Sequence, residues 1–267
     1  MSVSIEDIRN KQPLIHNITN QVVANDVANA LLAISASPMM AYAAEEMEEV
    51  ATIADAIVLN TGTLTDSVLD AMLIVGKAAN RLEKPIVLDP VGVGATSYRQ
   101  KSIALLLDKV DIQLIRGNAG ELASLVGVEW QAKGVDAGVG SASVGKIARL
   151  AAEKYQTVVF ISGEADVISD GRRTVYIRNG DPLMTQITGT GCMLSGICGA
   201  FIAVGEDVFE SAVAASATYA IAGELAVEEL NPIGPGYFRP TFMNQLYHIT
   251  NSTVKERLNM QEEISNE

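Results

Sequence analysis

The chain has 267 residues, 48% of them hydrophobic, which is long enough to bury a large core and too apolar for wholesale disorder. Its formal net charge of −13 excludes a nucleic-acid or anionic-membrane surface, because both demand a basic face. Any phosphate chemistry must therefore rest on local N–H groups, a metal and one or two basic residues.

The first residues, MSVSIEDIRNKQ, are polar and lack the apolar core of a signal peptide. Leu14 to Asn20 is a short strand-like run that ends in polar residues, and the alanine-rich segment 22–33 reads as a helix. Residues 37–42 are extended or turning around Pro38, and an acidic helix follows over 45–53. A rhythm then sets in: an apolar strand at 56–60, a helix over 64–81, an apolar strand at 85–89, and another at 112–115. Helices over 119–126 and 144–153 and a strand at 157–161 continue it.

The pair 165–169 and 173–177, joined through Asp170-Gly171, predicts a hairpin that adds antiparallel strands at one edge. The small-residue stretch 194–204 predicts a buried helix, and further helices complete the chain up to a charged tail, about 260–267, expected to be frayed. No run spans a membrane: 193–204 is too short, and 208–230 carries Glu210, Glu224, Glu228 and Glu229. Apolar strands alternating with helices indicate one α/β domain over 1–267, its mainly parallel sheet covered on both faces.

Ligands of such sheets collect beyond the carboxyl ends of the strands. Those ends read Asn60-Thr61-Gly62-Thr63, Asp89-Pro90-Val91-Gly92-Val93-Gly94, Arg116-Gly117-Asn118-Ala119-Gly120-Glu121 and Ser162-Gly163-Glu164. The densest motif comes later, at Thr188-Gly189-Thr190-Gly191-Cys192-Met193, where two glycines open a helix. Unpaired N–H groups and the helix dipole make such a start an anion cradle, and a thiolate at Cys192 would be favoured there. Close helix packing explains the same glycines equally well.

Asp89 closes an apolar strand and could hold Mg²⁺ directly or through water, although Asp-Pro is also a common turn starter. Asn118 and Glu121 have capping-box spacing; a carboxylate beside a metal is the other reading of Glu121. Arg116, between an apolar strand and a glycine, could clamp a phosphate. The stretch from Gly140 to Lys146 imitates a P-loop, but Ile147 has no hydroxyl for a metal and no apolar strand precedes it. No dinucleotide fingerprint is present. His16 and His248 have no ligand partners at metal spacing. Met39, Met40 and Met193 suit either a core or an apolar pocket, and Trp130 suits packing. Cys192 and Cys198, six residues apart on one predicted helix, cannot pair with each other, which fits a reduced cytoplasmic compartment.

Taken together, HNITNQVVAND, SPMMAYA, VLNTGTL, VLDPVGVGAT, IRGNAGE, KGVDAG, ISGEADVI and ITGTGCMLS resemble, in order and spacing, the hydroxyethylthiazole kinase family of thiamine salvage. The resemblance implies a ribokinase-like three-layer sandwich and transfer of the ATP γ-phosphoryl to the primary alcohol of 4-methyl-5-(2-hydroxyethyl)thiazole. It implies an anion hole of Gly189, Thr190, Gly191 and Cys192, with the cysteine where most of the superfamily has an aspartate base. Arg116 and Ser162 become nucleotide contacts, and Asp89 and Glu121 the carboxylates that organise Mg²⁺ through water. Met40 and Gly189 match thiazole contacts, and Asn20 a pocket residue supplied by a neighbouring subunit of a homotrimer with sites between subunits.

The alternatives are a kinase of the same architecture acting on hydroxymethylpyrimidine or pyridoxal, and an ATP-dependent dehydratase of hydrated nicotinamide nucleotides. Both usually keep an aspartate where Cys192 stands. A non-catalytic nucleotide sensor is the third; Asp89, Glu121 and Cys192 together argue against it.

Overall fold

A computed structural model describes residues 2–130 and 143–264. The KGVDAG stretch and the first residues of the P-loop imitation lie outside them. In chain order the elements are α1 (Ile5–Lys11), β1 (Leu14–Ile18), α2 (Ala24–Ala33), β2 (Ser37–Met39), α3 (Met47–Ile53), β3 (Ala56–Asn60), α4 (Asp66–Arg81), β4 (Ile86–Asp89), α5 (Ser97–Lys109), β5 (Leu114–Asn118) and α6 (Ala119–Val126). They continue with α7 (Val144–Tyr155), β6 (Val158–Ser162), β7 (Asp166–Ser169), β8 (Arg173–Ile177), α8 (Thr190–Val204), α9 (Val208–Glu229), α10 (Pro235–His248), α11 (Asn251–Arg257) and β9 (Met260–Ile264).

The strands form one sheet in the order β2-β1-β3-β4-β5-β6-β7-β8-β9. β1 to β6 run parallel, and β7, β8 and β9 extend the sheet antiparallel from β6. Alternate side chains enter opposite cores, as a period of two requires. Val58, Val87, Leu114 and Phe160 pack with α1, α2, α8, α9 and α10. Ile57, Leu88, Ile115 and Val159 pack with α3, α4, α5, α6 and α7. This is the three-layer arrangement expected of strands that are apolar on both faces. No helix among the described residues is long and apolar enough to cross a membrane.

α8 lies against the middle of the sheet at unusually close range. A Cβ on Gly199 would sit 2.7 Å from Val58 Cγ2 and 3.1 Å from Ile15 Cγ2, so the absent side chain is what lets the helix approach. The small residues of this helix thus serve packing in its second half, whatever its first turn does.

One expectation needs correction, and one element goes unannounced. Residues 260–264 are not a frayed tail: they form β9, paired with β8 from Arg173↔Ile264 to Ile177↔Met260. Without it β8 would leave a row of backbone groups unpaired. The Asn259 N–H donates to Asn179 Oδ1 at 2.8 Å and steers the chain into that edge. All five β9 residues are exposed, so no apolar pattern announces the strand. The periodicity likewise does not announce α5, whose leucines are bunched so that only Ser102, Ile103 and Leu106 are buried. Its start signal is local, the Thr96 hydroxyl accepting the Arg99 N–H at 3.3 Å.

Candidate active site

Asn60, Asp89 and Ser162 close the parallel strands β3, β4 and β6, and Arg116 stands two residues before the end of β5, between β4 and β6. Register sets Asn60 opposite Asp89, whereas Ser162 lies opposite Asn118, two residues beyond Arg116, and the guanidinium reaches across that step to the Ser162 hydroxyl. The N-terminus of α8 meets these residues. Gly189 caps the helix at φ +91°, a left-handed conformation that glycine adopts at no steric cost. A Cβ there would lie 2.4 Å from Val23 Cγ1. The N–H groups of Thr190, Gly191 and Cys192 form the first turn, where no intrahelical carbonyl is available to them.

Side chains hold that turn in place. Thr190 Oγ1 donates to the Met184 carbonyl at 3.0 Å, and the buried Tyr219 hydroxyl donates to the Thr190 carbonyl at 2.7 Å. The Arg116 guanidinium packs directly on Gly191, where a Cβ would come within 2.7 Å of Nη1. Arg116 is buried, donates to Ser162 Oγ, pairs with Asp89 Oδ2 at 3.7 Å, and keeps Nε without a partner among the described residues. A buried cation with an unused donor against an open helix start suits a multiply charged anion.

Asp89 is 1% exposed, and its contacts converge on one oxygen. Oδ2 accepts from Asn60 Nδ2 at 2.7 Å and Ser195 Oγ at 2.7 Å, and faces Arg116. Burial pushes its carboxyl up to about 6 against the opposing pull of Arg116. Cys192 Sγ receives Asn20 Nδ2 at 3.3 Å and Asn60 Nδ2 at 3.2 Å. The expectation of a favoured thiolate fails here: burial, then the charge of Asp89, push the thiol up, and the two amides only partly offset them. Cys198 is buried, its thiol pushed up to about 12 by desolvation. Both cysteines are free.

Asn20 also departs from expectation. It stands beside Cys192 of its own chain, because β1 neighbours β3 and their carboxyl ends come together. Met40 follows β2 at the sheet edge, half-buried against the α8-side core, and takes no part in this network among the described contacts.

Glu121 does what its spacing with Asn118 predicts and something more. Oε2 accepts the Asn118 N–H at 2.9 Å while Asn118 Oδ1 accepts the Glu121 N–H at 2.9 Å, a complete capping box. Oε1 accepts the Gly92 N–H at 2.9 Å and so ties the loop after β4 to α6. Among the described residues no three His, Cys, Asp or Glu side chains converge on a metal position. A divalent ion would instead find the Asp89 carboxylate, with Glu121 one loop away. This hard-oxygen set suits Mg²⁺ that keeps most of its water.

Several members of the site escape motif reading. Asn60 and Ser195 orient Asp89. Arg99 clasps the carbonyls of Thr61, Gly62 and Val91 and locks two strand-end loops together. Asp166 Oδ1 accepts the Gly163 N–H at 3.2 Å and Oδ2 accepts Ser216 Oγ at 2.7 Å, closing the turn after Ser162. Only Asn60 leaves a trace in sequence, as a polar residue closing an apolar strand.

Burial raises the Asp166 carboxyl to about 6, above its unfolded value. The folded state then binds more protons than the unfolded one, so this group's contribution falls as pH rises from about 4 to about 6 and is flat above. Asp166→Asn should therefore be more stable than the parent at pH 8, by up to about 3 kcal/mol, with the gap closing near pH 4. Urea unfolding at both pH values checks it; equal gaps at the two would sink the assignment.

A model of the hydroxyethylthiazole kinase family matches residues 5–252. A hydroxyethylthiazole kinase of Listeria monocytogenes serotype 4a (strain HCC23) is 57% identical over 244 residues, covering 91% of each chain. One of Histophilus somni (strain 129Pt) is 51% identical over 251 residues, covering 93% of this chain and 94% of its own. The solved hydroxyethylthiazole kinase protein of Pyrococcus horikoshii OT3 superposes with a TM-score of 0.88 at 40% identity, over 97% of this chain and 96% of that one. A pyridoxal kinase of Staphylococcus aureus, solved with AMP-PCP and pyridoxal, shares the fold alone, at TM-score 0.65 and 16% identity over 95% and 99% of the two chains.

Proposed function

The chain belongs to the hydroxyethylthiazole kinase family, and from that membership we propose how its residues carry the reaction. It is a kinase that transfers a phosphoryl group to the primary alcohol of 4-methyl-5-(2-hydroxyethyl)thiazole, giving the thiazole phosphate. ATP is the donor. The observation that carries the assignment of roles is the continuous chain Arg116–Asp89–Asn60–Cys192 set against the open first turn of α8.

The transferring phosphoryl sits at the N–H groups that follow Gly189, with Arg116 neutralising its oxygens and Ser162 holding the guanidinium. Such preorganised donors carry most of the rate in a loose phosphoryl transfer. Asp89, with Glu121 behind it, would hold Mg²⁺ through water, and the ion would supply further charge neutralisation on the phosphates. The acceptor alcohol lies next to Cys192, with Gly189, Asn20 and Met40 shaping the thiazole end. Its hydroxyl keeps its proton until late and passes it to an oxygen of the transferred phosphoryl as the bond forms, so a thiol held mostly protonated suffices to steer it.

The active assembly is a homotrimer in the cytoplasm, with sites between subunits. Val22 and Leu32 near and on α2, together with Ile233 and Tyr237 near and on the adjacent α10, support this by exposing large apolar side chains. A cavity of about 840 Å³ opens between these helices beside Thr188.

The test is a coupled assay with ATP and Mg²⁺ on hydroxyethylthiazole, hydroxymethylpyrimidine and pyridoxal in parallel. Preference for the thiazole alcohol is expected; preference for another alcohol, or none phosphorylated, overturns the reading. In the same assay Cys192→Ala should lower kcat about 100-fold with ATP affinity unchanged, the scale of loss when a reacting group is misplaced by about 1 Å. Loss of all turnover would show the thiol to be the main catalytic group.

A further inference from the structure

The motif after β3, Asn60-Thr61-Gly62-Thr63, is not accounted for by phosphate or metal binding, yet each residue makes a specific contact. The Gly62 N–H donates to Asn60 Oδ1 at 3.0 Å. A backbone N–H can only donate, so the orientation of the Asn60 carboxamide is settled: oxygen toward Gly62, nitrogen toward Asp89 and Cys192. Asn60 Oδ1 also takes Asn20 at 3.1 Å, which must therefore present its own nitrogen. The second hydrogen of that nitrogen reaches Cys192 Sγ. Gly62 makes the arrangement possible, because a Cβ there would lie 2.5 Å from Asn20 Cβ and 2.8 Å from its Cγ. Thr63 Oγ1 accepts the Gln21 N–H at 3.2 Å and holds the segment that carries Asn20. Thr61 Oγ1 ties the motif to the carbonyls of Asp89 and Val91.

Both amides thus donate to the same sulfur. A sulfur that accepts two N–H groups from the protein turns its own hydrogen away from them, toward the cleft. We infer that Asn60 is a positioning residue for phosphoryl transfer: through its own amide and that of Asn20 it orients the Cys192 sulfur toward the acceptor alcohol. This rests on the kinase reading above. It assigns the motif after β3 to alignment of the acceptor, and leaves phosphate binding to Arg116 and α8.

The experiment is a double-mutant cycle of Asn60→Ala and Cys192→Ala, with alkylation of ligand-free protein by iodoacetamide as a readout that needs no substrate. Asn60→Ala is expected to lower kcat at least tenfold with both KM values within about threefold of the parent, and to cost little further kcat in the Cys192→Ala background. The pH midpoint of Cys192 alkylation, followed by peptide mapping, should rise by about one pH unit as one donor to the sulfur is lost and the Asn20 amide loses the acceptor that orients it. Asn20→Ala should shift it the same way by less, and decides the matter if Asn60→Ala does not fold. An unshifted midpoint in the folded variants, or full additivity with Cys192→Ala, overturns the proposal. A parent enzyme inactive on the thiazole alcohol overturns the kinase reading instead, while the alkylation result still stands for the geometry.

Discussion

Gly189→Ala is expected to lower kcat by about 10³-fold or more, although it adds only a single methyl group. Two costs coincide. The residue sits at φ +91°, where an L side chain costs roughly 1–2 kcal/mol. Its new Cβ would also lie 2.4 Å from Val23 Cγ1, a separation no relaxed contact tolerates, so the α8 cap must move. Movement of the cap displaces several N–H donors at once, and one misplaced donor of this kind already costs about 10²–10³ in kcat. Steady-state kinetics and ATP titration check it, alongside thermal unfolding to show that the fold survives. Adding Val23→Ala should restore part of the loss by removing the collision but not the backbone strain. A Gly189→Ala enzyme within tenfold of the parent would remove the cradle from the mechanism, and it should in any case be hit harder than Cys192→Ala.

Arg116→Ala should be similarly inactive, and its stability defect should depend on pH in a direction the site dictates. Asp89 is buried, its carboxyl already pushed up to about 6 with the guanidinium 3.7 Å away. Removing Arg116 takes away the main force holding that value down, so the folded-state value climbs further above the unfolded one. A raised carboxyl costs stability above its folded value and nothing below the unfolded one. The variant is therefore expected to lose about 3 kcal/mol or more at pH 8, in the range for a broken buried pair, and clearly less at pH 5. Denaturant unfolding at the two pH values measures this. Equal losses at both would mean that Arg116 stabilises by packing against Gly191 and not by facing Asp89. Arg116→Lys keeps the charge but not the planar fork, and should recover more stability than activity.

The strand ends show how far local reading reaches. Asp89, Arg116 and Ser162 could be named because each closes an apolar run, and an apolar run that stops on a charged or hydroxyl residue is visible in any such sequence. The cradle was legible for the same reason, two glycines opening an apolar stretch. Ser195 was not, because a serine inside a small-residue helix looks like packing, and only the approach of α8 to β4 puts its hydroxyl 2.7 Å from Asp89. Asp166 read as part of an edge hairpin; its role at the turn after Ser162 depends on Ser216, 50 residues away on α9. Asn20 was expected from a neighbouring subunit and lies instead beside Cys192 of its own chain, a matter of strand order that periodicity does not encode.

The sequence by itself determined the layers, most of the strands and helices and the residues at the strand ends, because apolar periodicity, glycine and capping chemistry act over a few neighbours. It also carried the resemblance that named the reaction. Only the tertiary structure decided that β9 closes the sheet edge, that Asn60 and Asn20 both face one sulfur, and that the thiol is pushed up and not down. Those outcomes depend on burial and on partners tens to hundreds of residues apart, and neither desolvation nor strand order can be read from a local pattern.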